Sequence, residues 1–261
     1  MDRIVAFVAA CSLLLTFGEI ARAADEDPNL IGMGWRVRPT YEGAASDKGE
    51  WMPVIRVRGD TWFVRTTHGK LEGGGGFWTV GGLELGGQLA YEDGRLASES
   101  AFLRSRGVPN LDAGPSIGLY AEYDWKVGTT LINALARYRC RWHFDGDRGA
   151  QADFRLTTRV LDKGGFAAAV FAQLTLADRQ EMRGYSGVSQ ALSASSGLAQ
   201  YDPEAGPRFV AVGVQAAYHI GRHLTLVGSA ELHRMVGDAA ASPLVERKTN
   251  AYLGVGIALR R

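Results

Sequence analysis

Residues 31–41 read IGMGWRVRPTY, and the two faces of this stretch differ in kind. Ile31, Met33, Trp35, Val37, Pro39 and Tyr41 occupy the odd positions, while Gly32, Gly34, Arg36, Arg38 and Thr40 occupy the even ones. Alternation with period 2 is the signature of a β-strand with one apolar face. Its length decides more. Strands in soluble proteins centre on about 5–6 residues, whereas about 9–11 tilted residues are needed to cross a bilayer.

The pattern recurs along the chain. From Ser116 to Trp125, Ile117, Leu119, Ala121, Tyr123 and Trp125 oppose Ser116, Gly118, Tyr120, Glu122 and Asp124. From Thr130 to Trp142, Ile132, Ala134, Ala136, Tyr138, Cys140 and Trp142 oppose Asn133, Arg137, Arg139 and Arg141. Ala150 to Val160, Val210 to Ile220, Leu224 to Val236 and Ala251 to Leu259 read the same way. The connections alternate in length. Tight turns at Arg58 to Asp60, Lys126 to Gly128, Asp162 to Gly165 and Gly221 to His223 are interleaved with long polar segments. The long ones are Glu42 to Glu50, Glu92 to Gly114, Phe144 to Gly149, Asp178 to Pro207 and Gly237 to Arg247. Short turns on one rim and long loops on the other describe an outer-membrane barrel. With Gly73 to Val80 as a further strand the count is twelve, which puts both termini and every short turn on the periplasmic side.

Such a sheet must close, because an open edge in lipid leaves backbone groups unpaired. The expected fold is therefore all-β, a transmembrane antiparallel β-barrel of about twelve strands, with a secreted β-sandwich as the soluble alternative. Trp35, Tyr41, Trp51, Tyr91, Tyr123, Trp125, Trp142 and Tyr218 lie near strand ends, where an interfacial aromatic girdle belongs. Arg137, Arg139, Arg141, Arg155 and Arg159 fall on the lumen face, as an ordinary charged interior before any solute filter.

Met1 to Ala23 combine Arg3, the apolar run IVAFVAACSLLLTF and an A-x-A site at Ala21 and Ala23, which reads as a secretory signal peptide. VAAC at Cys11 imitates a lipobox, but the apolar run continues past it. Cleavage leaves residues 24–261 as one barrel domain with Cys140 as its single cysteine, so no internal disulfide forms. The formal charge of +1 gives no support to nucleic-acid binding.

One stretch resists the alternation: GYSGVSQALSASSGLAQY at 184–201, with five serines and three glycines. It forms the longest external loop, free to fold over the barrel mouth with Tyr185 and Tyr201 as anchors. An enzyme reading rests on Ser229, Glu231 and His233, a hydroxyl, a carboxylate and an imidazole on one strand face. Each step is about 7 Å, too long for a hydrogen-bonded relay along one strand, so no catalytic residue is assigned. The five histidines lack ligand spacing with Cys or acidic partners, so no metal is assigned. Gly73 to Gly76 lack the Lys and Ser/Thr of a phosphate loop and instead relax a curved strand start.

The segment GYSGVSQALSASSGLAQYDPEAG, followed by GDAAASPLV at Gly237 to Val245, resembles the MipA/OmpV family of outer-membrane proteins. Tyr185, Gly187 and Val188 match its Y-x-G-[VI] element. Ser196, Gly197, Leu198 and Tyr201, with Gly206, match its S-G-L-x-x-Y element. Ser242, Pro243 and Leu244 match its [DN]-S-P-[LIV] element, and LAYEDGR at Leu89 to Arg95 is similar to its strand ending in Gly-Arg. The resemblance implies a porin-like barrel in outer-membrane lipid. It also implies a non-enzymatic scaffold that brings a periplasmic murein transglycosylase to a penicillin-binding protein, with no cofactor. A small-solute channel is the alternative, an outer-membrane lipid hydrolase a remoter one. Ala241 stands where the family favours an acidic or amide residue, and Leu259, Arg260 and Arg261 replace a terminal aromatic.

Overall fold

The computed structural model describes residues 29–67, 69–128, 130–141 and 149–261. The expected leader at 1–23, His68, His143, Trp142 and most of the expected loop at Phe144 to Gly149 lie outside them. Among the described residues, twelve antiparallel strands close into one barrel in simple up-and-down order. They are β1 Leu30–Pro39, β2 Asp47–Arg58, β3 Trp62–Thr67, β4 Lys70–Val80, β5 Leu83–Glu92 and β6 Gly114–Val127. The second half comprises β7 Thr130–Arg141, β8 Ala150–Lys163, β9 Phe166–Ala177, β10 Gly206–Ile220, β11 Leu224–Met235 and β12 Thr249–Arg260. Closure comes from β1 against β12, in register from Leu30↔Arg260 to Val37↔Leu253. Backbone pairing around the whole ring makes the fold possible in lipid.

One rim carries turns of two or three residues, at 59–61, 81–82, 128–129, 164–165 and 221–223. The opposite rim carries the long connections 93–113, 178–205 and 236–248, and shorter ones at 40–46 and 68–69. The tight hairpin between β3 and β4 is the exception to long external loops.

The two faces of the wall match the alternation. Ile31, Met33, Trp35, Ile117, Leu119, Tyr138, Val255 and Leu259 face outward, exposed for contact with lipid. Trp35 and Trp51 meet edge to face at 5.2 Å, and with Tyr91 and Tyr218 they are exposed on the outer wall as a girdle requires. Tyr41 departs from that expectation: it lies past the end of β1 and is buried beneath the external loops. The expectation for Gly73 to Gly76 also needs correcting, because β4 begins three residues earlier and the glycines sit inside it. Gly74 has the Phe63 ring over it, so a Cβ there would lie 2.8 Å from that ring.

Inward glycines act as saddles for large neighbours. A Cβ at Gly118 on β6 would meet the Tyr138 carbonyl at 2.2 Å and the Arg139 side chain at 2.9 Å. Its absence lets Arg139 lie across the wall towards β5.

Candidate functional site

Four external connections fold together over one mouth of the barrel. The loop 93–113 contributes a short 3-10 turn and helix α1, Ala101–Ser105. Between β9 and β10 lie helices α2, Arg179–Ser186, and α3, Gln190–Ser196. Between β11 and β12 lies α4, Gly237–Ala241. Helices form in a segment without visible periodicity because its caps are strong. Asp178 accepts from the Glu181 amide at 2.8 Å and Ser189 from the Leu192 amide at 3.2 Å. Gly197, with φ of 72°, terminates α3 in the left-handed conformation. Antiparallel hydrogen bonds between Val188 and Tyr201, of 2.8 and 2.9 Å, close the intervening segment into a compact unit.

Apolar residues from all four connections join in one cluster. Tyr41, Ala44, Leu103, Val108, Val188 and Leu244 are buried there, with Phe102, Leu192, Leu198 and Tyr201 packed against them. The loop residues singled out in the sequence therefore come together. Tyr185 donates to the Asp93 carbonyl at 3.1 Å and receives the Arg95 guanidinium at its own carbonyl at 2.7 Å. Tyr201 donates to the Asp238 carbonyl at 2.8 Å. Ser242 donates to the Ser186 carbonyl at 2.6 Å and accepts from the Leu244 amide, linking the two signature segments directly. Gly187 sits where a Cβ would lie 2.5 Å from the Arg183 carbonyl. Pro243, beside Ser242, is half-buried.

The cap is held together by Tyr41 and pinned to the barrel by Asn250 and Arg208, contacts that alternation along the strands does not indicate. Tyr41 donates to the Leu244 carbonyl at 2.9 Å and to Glu246 at 3.1 Å; burial, then Glu246, push its phenol well above its ordinary range. Asn250 on β12 accepts from the Gly43 amide and donates to the Ala44 carbonyl, both at 2.9 Å. Arg208 on β10 is the hub. It reaches Glu181 of α2 at 2.8 Å and Glu42 of the first loop at 2.6 Å, with its guanidinium 3.9 Å from the Tyr185 ring centre. Burial alone would raise the Glu42 carboxyl, but the charges of Arg208, His233 and Lys70 hold it below the usual carboxylate range.

Below the cap, charges on the lumen face are paired and buried. Arg137 on β7 meets Glu72 on β4 at 2.8 Å, spanning β5 and β6. Arg139 joins Glu92 on β5 to Asp153 on β8, each at 2.5 Å. Thr175 donates to Asp153 at 2.7 Å, and Lys70 reaches Glu92 at 2.8 Å. None of Glu72, Glu92, Arg137, Arg139 and Asp153 exceeds 4% exposure. Arg155 lies 3.6 Å over the Phe171 ring. Arg159, by contrast, sits near the periplasmic end and pairs with Asp162 at 2.8 Å. For Arg141 the structure gives the backbone position at the end of β7.

The expectation that Glu231 and His233 stand too far apart to bond is overturned. The two side chains lean together, and His233 Nε2 is 3.2 Å from Glu231 Oε2. A strand separates such residues at Cα, but two flexible side chains recover the distance. His233 is covered by Phe209 at 5.0 Å and Tyr252 at 4.2 Å. Among the described residues, no three His, Cys, Asp or Glu side chains converge as a metal site.

The chain's likeness to known proteins fits this architecture. The family model described as MltA-interacting protein MipA matches residues 31–260. Among solved structures, the NanC porin superposes with a TM-score of 0.54 at 10% identity, covering 89% of this chain and all of that one. An outer-membrane channel from Pseudomonas putida F1, described as COG4313, gives 0.49 at 13% identity, covering 93% of this chain and all of that one. No curated protein matches the sequence. At its identity of 10% the likeness to the NanC porin bears on the fold alone: an outer-membrane barrel.

Proposed function

Because the chain belongs to the MltA-interacting protein (MipA) family, we propose that it is a closed outer-membrane barrel that serves as a non-enzymatic docking scaffold for murein-processing enzymes. One observation carries the closed state: Glu72, Glu92, Arg137, Arg139 and Asp153, lumen charges that would be wet in an open pore, are paired with one another and at most 4% exposed. The cap over the external mouth supports the same reading, since Arg208 and Asn250 tie it to the barrel. A murein transglycosylase is the partner the family's description suggests, and a penicillin-binding synthase is the second partner implied by the resemblance. Residues 1–23 act in this reading as a cleaved export signal, which N-terminal sequencing of the mature protein at Ala24 would test.

The scaffold role is tested by co-purification at native abundance with a periplasmic murein transglycosylase. Recovery of the enzyme supports it; absence of any murein enzyme counts against it. The Glu231–His233 pair serves packing in this reading, with both ring faces covered. Unchanged, background esterase activity in His233→Ala agrees with that, and a loss of real activity contradicts it. A small-solute channel remains the second reading, favoured by the arginine-rich lumen.

A further inference from the structure

The outer wall is not uniformly convex. A groove of about 660 Å³ is lined by Gly73, Gly87, Leu89, Ile117, Leu119 and Tyr138, with Cys140 and strand backbone completing it. Leu89, Ile117, Leu119 and Tyr138 are exposed on the lipid side of β5, β6 and β7. The groove is therefore continuous with the bilayer-facing surface of the barrel. Its depth is also defined. Gly73 on β4 and Ile117 on β6 are each the fourth residue from the end bearing the long connections, so the groove runs from mid-wall towards the external rim.

The glycines flooring it differ from those inside. At Gly74, Gly86 and Gly118 an added Cβ would meet a neighbouring atom at 2.6 Å or less, so the barrel's own packing demands glycine. At Gly73 the nearest atom would be 3.6 Å away, and at Gly87 3.9 Å. Glycine inside a strand carries an entropic cost, and among the described residues nothing requires it at those two positions. What the glycines preserve is concavity on the membrane side.

We propose that the groove is a binding site for one acyl chain of an outer-leaflet lipid, the lipid A anchor of lipopolysaccharide. Apolar walls around a bare backbone floor give a straight saturated chain close contact along its length, which is how attraction arises between apolar surfaces in lipid. A second copy fits the groove poorly. Two barrels related by a two-fold axis along the membrane normal present the same patch to each other, so concave would meet concave. The site is independent of the scaffold reading.

Cys140, exposed at the groove and the sole cysteine of residues 24–261, supplies the probe. The full chain in detergent, labelled there with a fluorophore, is titrated with lipid A carrying a spin label on one acyl chain. Saturable quenching is expected, with affinity falling at least tenfold in Gly87→Leu while heat-modifiable gel mobility is retained. Should that variant fail to fold, Gly73→Leu fills the same floor. Non-saturating quenching equal in native and filled proteins would overturn the proposal, as would saturation by phosphatidylethanolamine of the inner leaflet in preference to lipid A. Efficient Cys140–Cys140 crosslinking of unlabelled protein in vesicles would overturn it too, by placing a second copy over the groove.

Discussion

Replacing Arg208 by alanine removes the charged tie between cap and barrel. The guanidinium bonds Glu181, which is itself fully buried, and Glu42, which is about one-fifth exposed. Removing one partner of a buried ion pair costs about 3–5 kcal/mol, because the other charge is left without compensation. Glu181 bears that cost; Glu42 can rehydrate and adds little. The loss falls on the cap and not on the barrel, whose backbone ladder closes without Arg208. At about 1.4 kcal/mol per tenfold, the equilibrium for cap opening shifts by roughly two to three and a half orders of magnitude, limited only by complete opening. Hydrogen exchange of the α2 and α3 amides measures this, with the β11–β12 amides as an internal reference. Acceleration of at least ~100-fold confined to 179–201 is expected. Exchange within twofold of native in that segment refutes the hub, and equal acceleration in the strands refutes the separation of cap from barrel.

Gly118→Ala puts a Cβ 2.2 Å from the Tyr138 carbonyl, displaces Arg139 from Glu92 and Asp153, and is expected to destabilise by about 1–3 kcal/mol; a urea midpoint equal to native would show that Arg139 needs no saddle. The cap has a defined acid limit. Glu42 titrates below its ordinary value in the folded protein, so its stabilisation is complete above the unfolded value of about 4.3 and is lost as pH falls through the depressed folded value. Protease nicking at 179–201 should therefore be flat between about pH 5 and 8 and rise only in stronger acid; an onset already within that flat range would contradict the role given to Glu42. Outer-membrane fractions should contain a band of heat-modifiable mobility, and its absence there would contradict the transmembrane barrel.

Most of the barrel was legible because lipid and lumen impose period 2 on every strand, from Ile31 to Leu259. The exceptions occur where that period breaks. Register shifts between Pro207 and Phe209, so Arg208 and Phe209 both turn inward and both are buried. Strict alternation puts one of them in lipid and hides the hub. A second shift between Gly76 and Trp78 leaves Phe77 and Trp78 both exposed. In the cap, α2 and α3 are eight and seven residues long, too short to display a helical period. Their signal was in the termini: Asp178 followed three residues later by Glu181 is a capping pattern, and Gly197 marks a stop. The pairing of Glu72, Glu92 and Asp153 with Arg137 and Arg139 joins strands distant in sequence, and alternation gives the face a residue occupies without its partner. Tyr41 reads as a girdle residue in the sequence because proximity to a strand end does not distinguish facing lipid from turning under a loop.

Planar-bilayer recording of the native protein beside a variant lacking residues 186–199 tests closure most directly. Native protein should give no stable single-channel steps, and the deletion, which removes α3 and most of the segment joining the loops, should raise conductance. Stable steps from the native protein, unchanged by the deletion, would contradict a closed barrel and favour the channel.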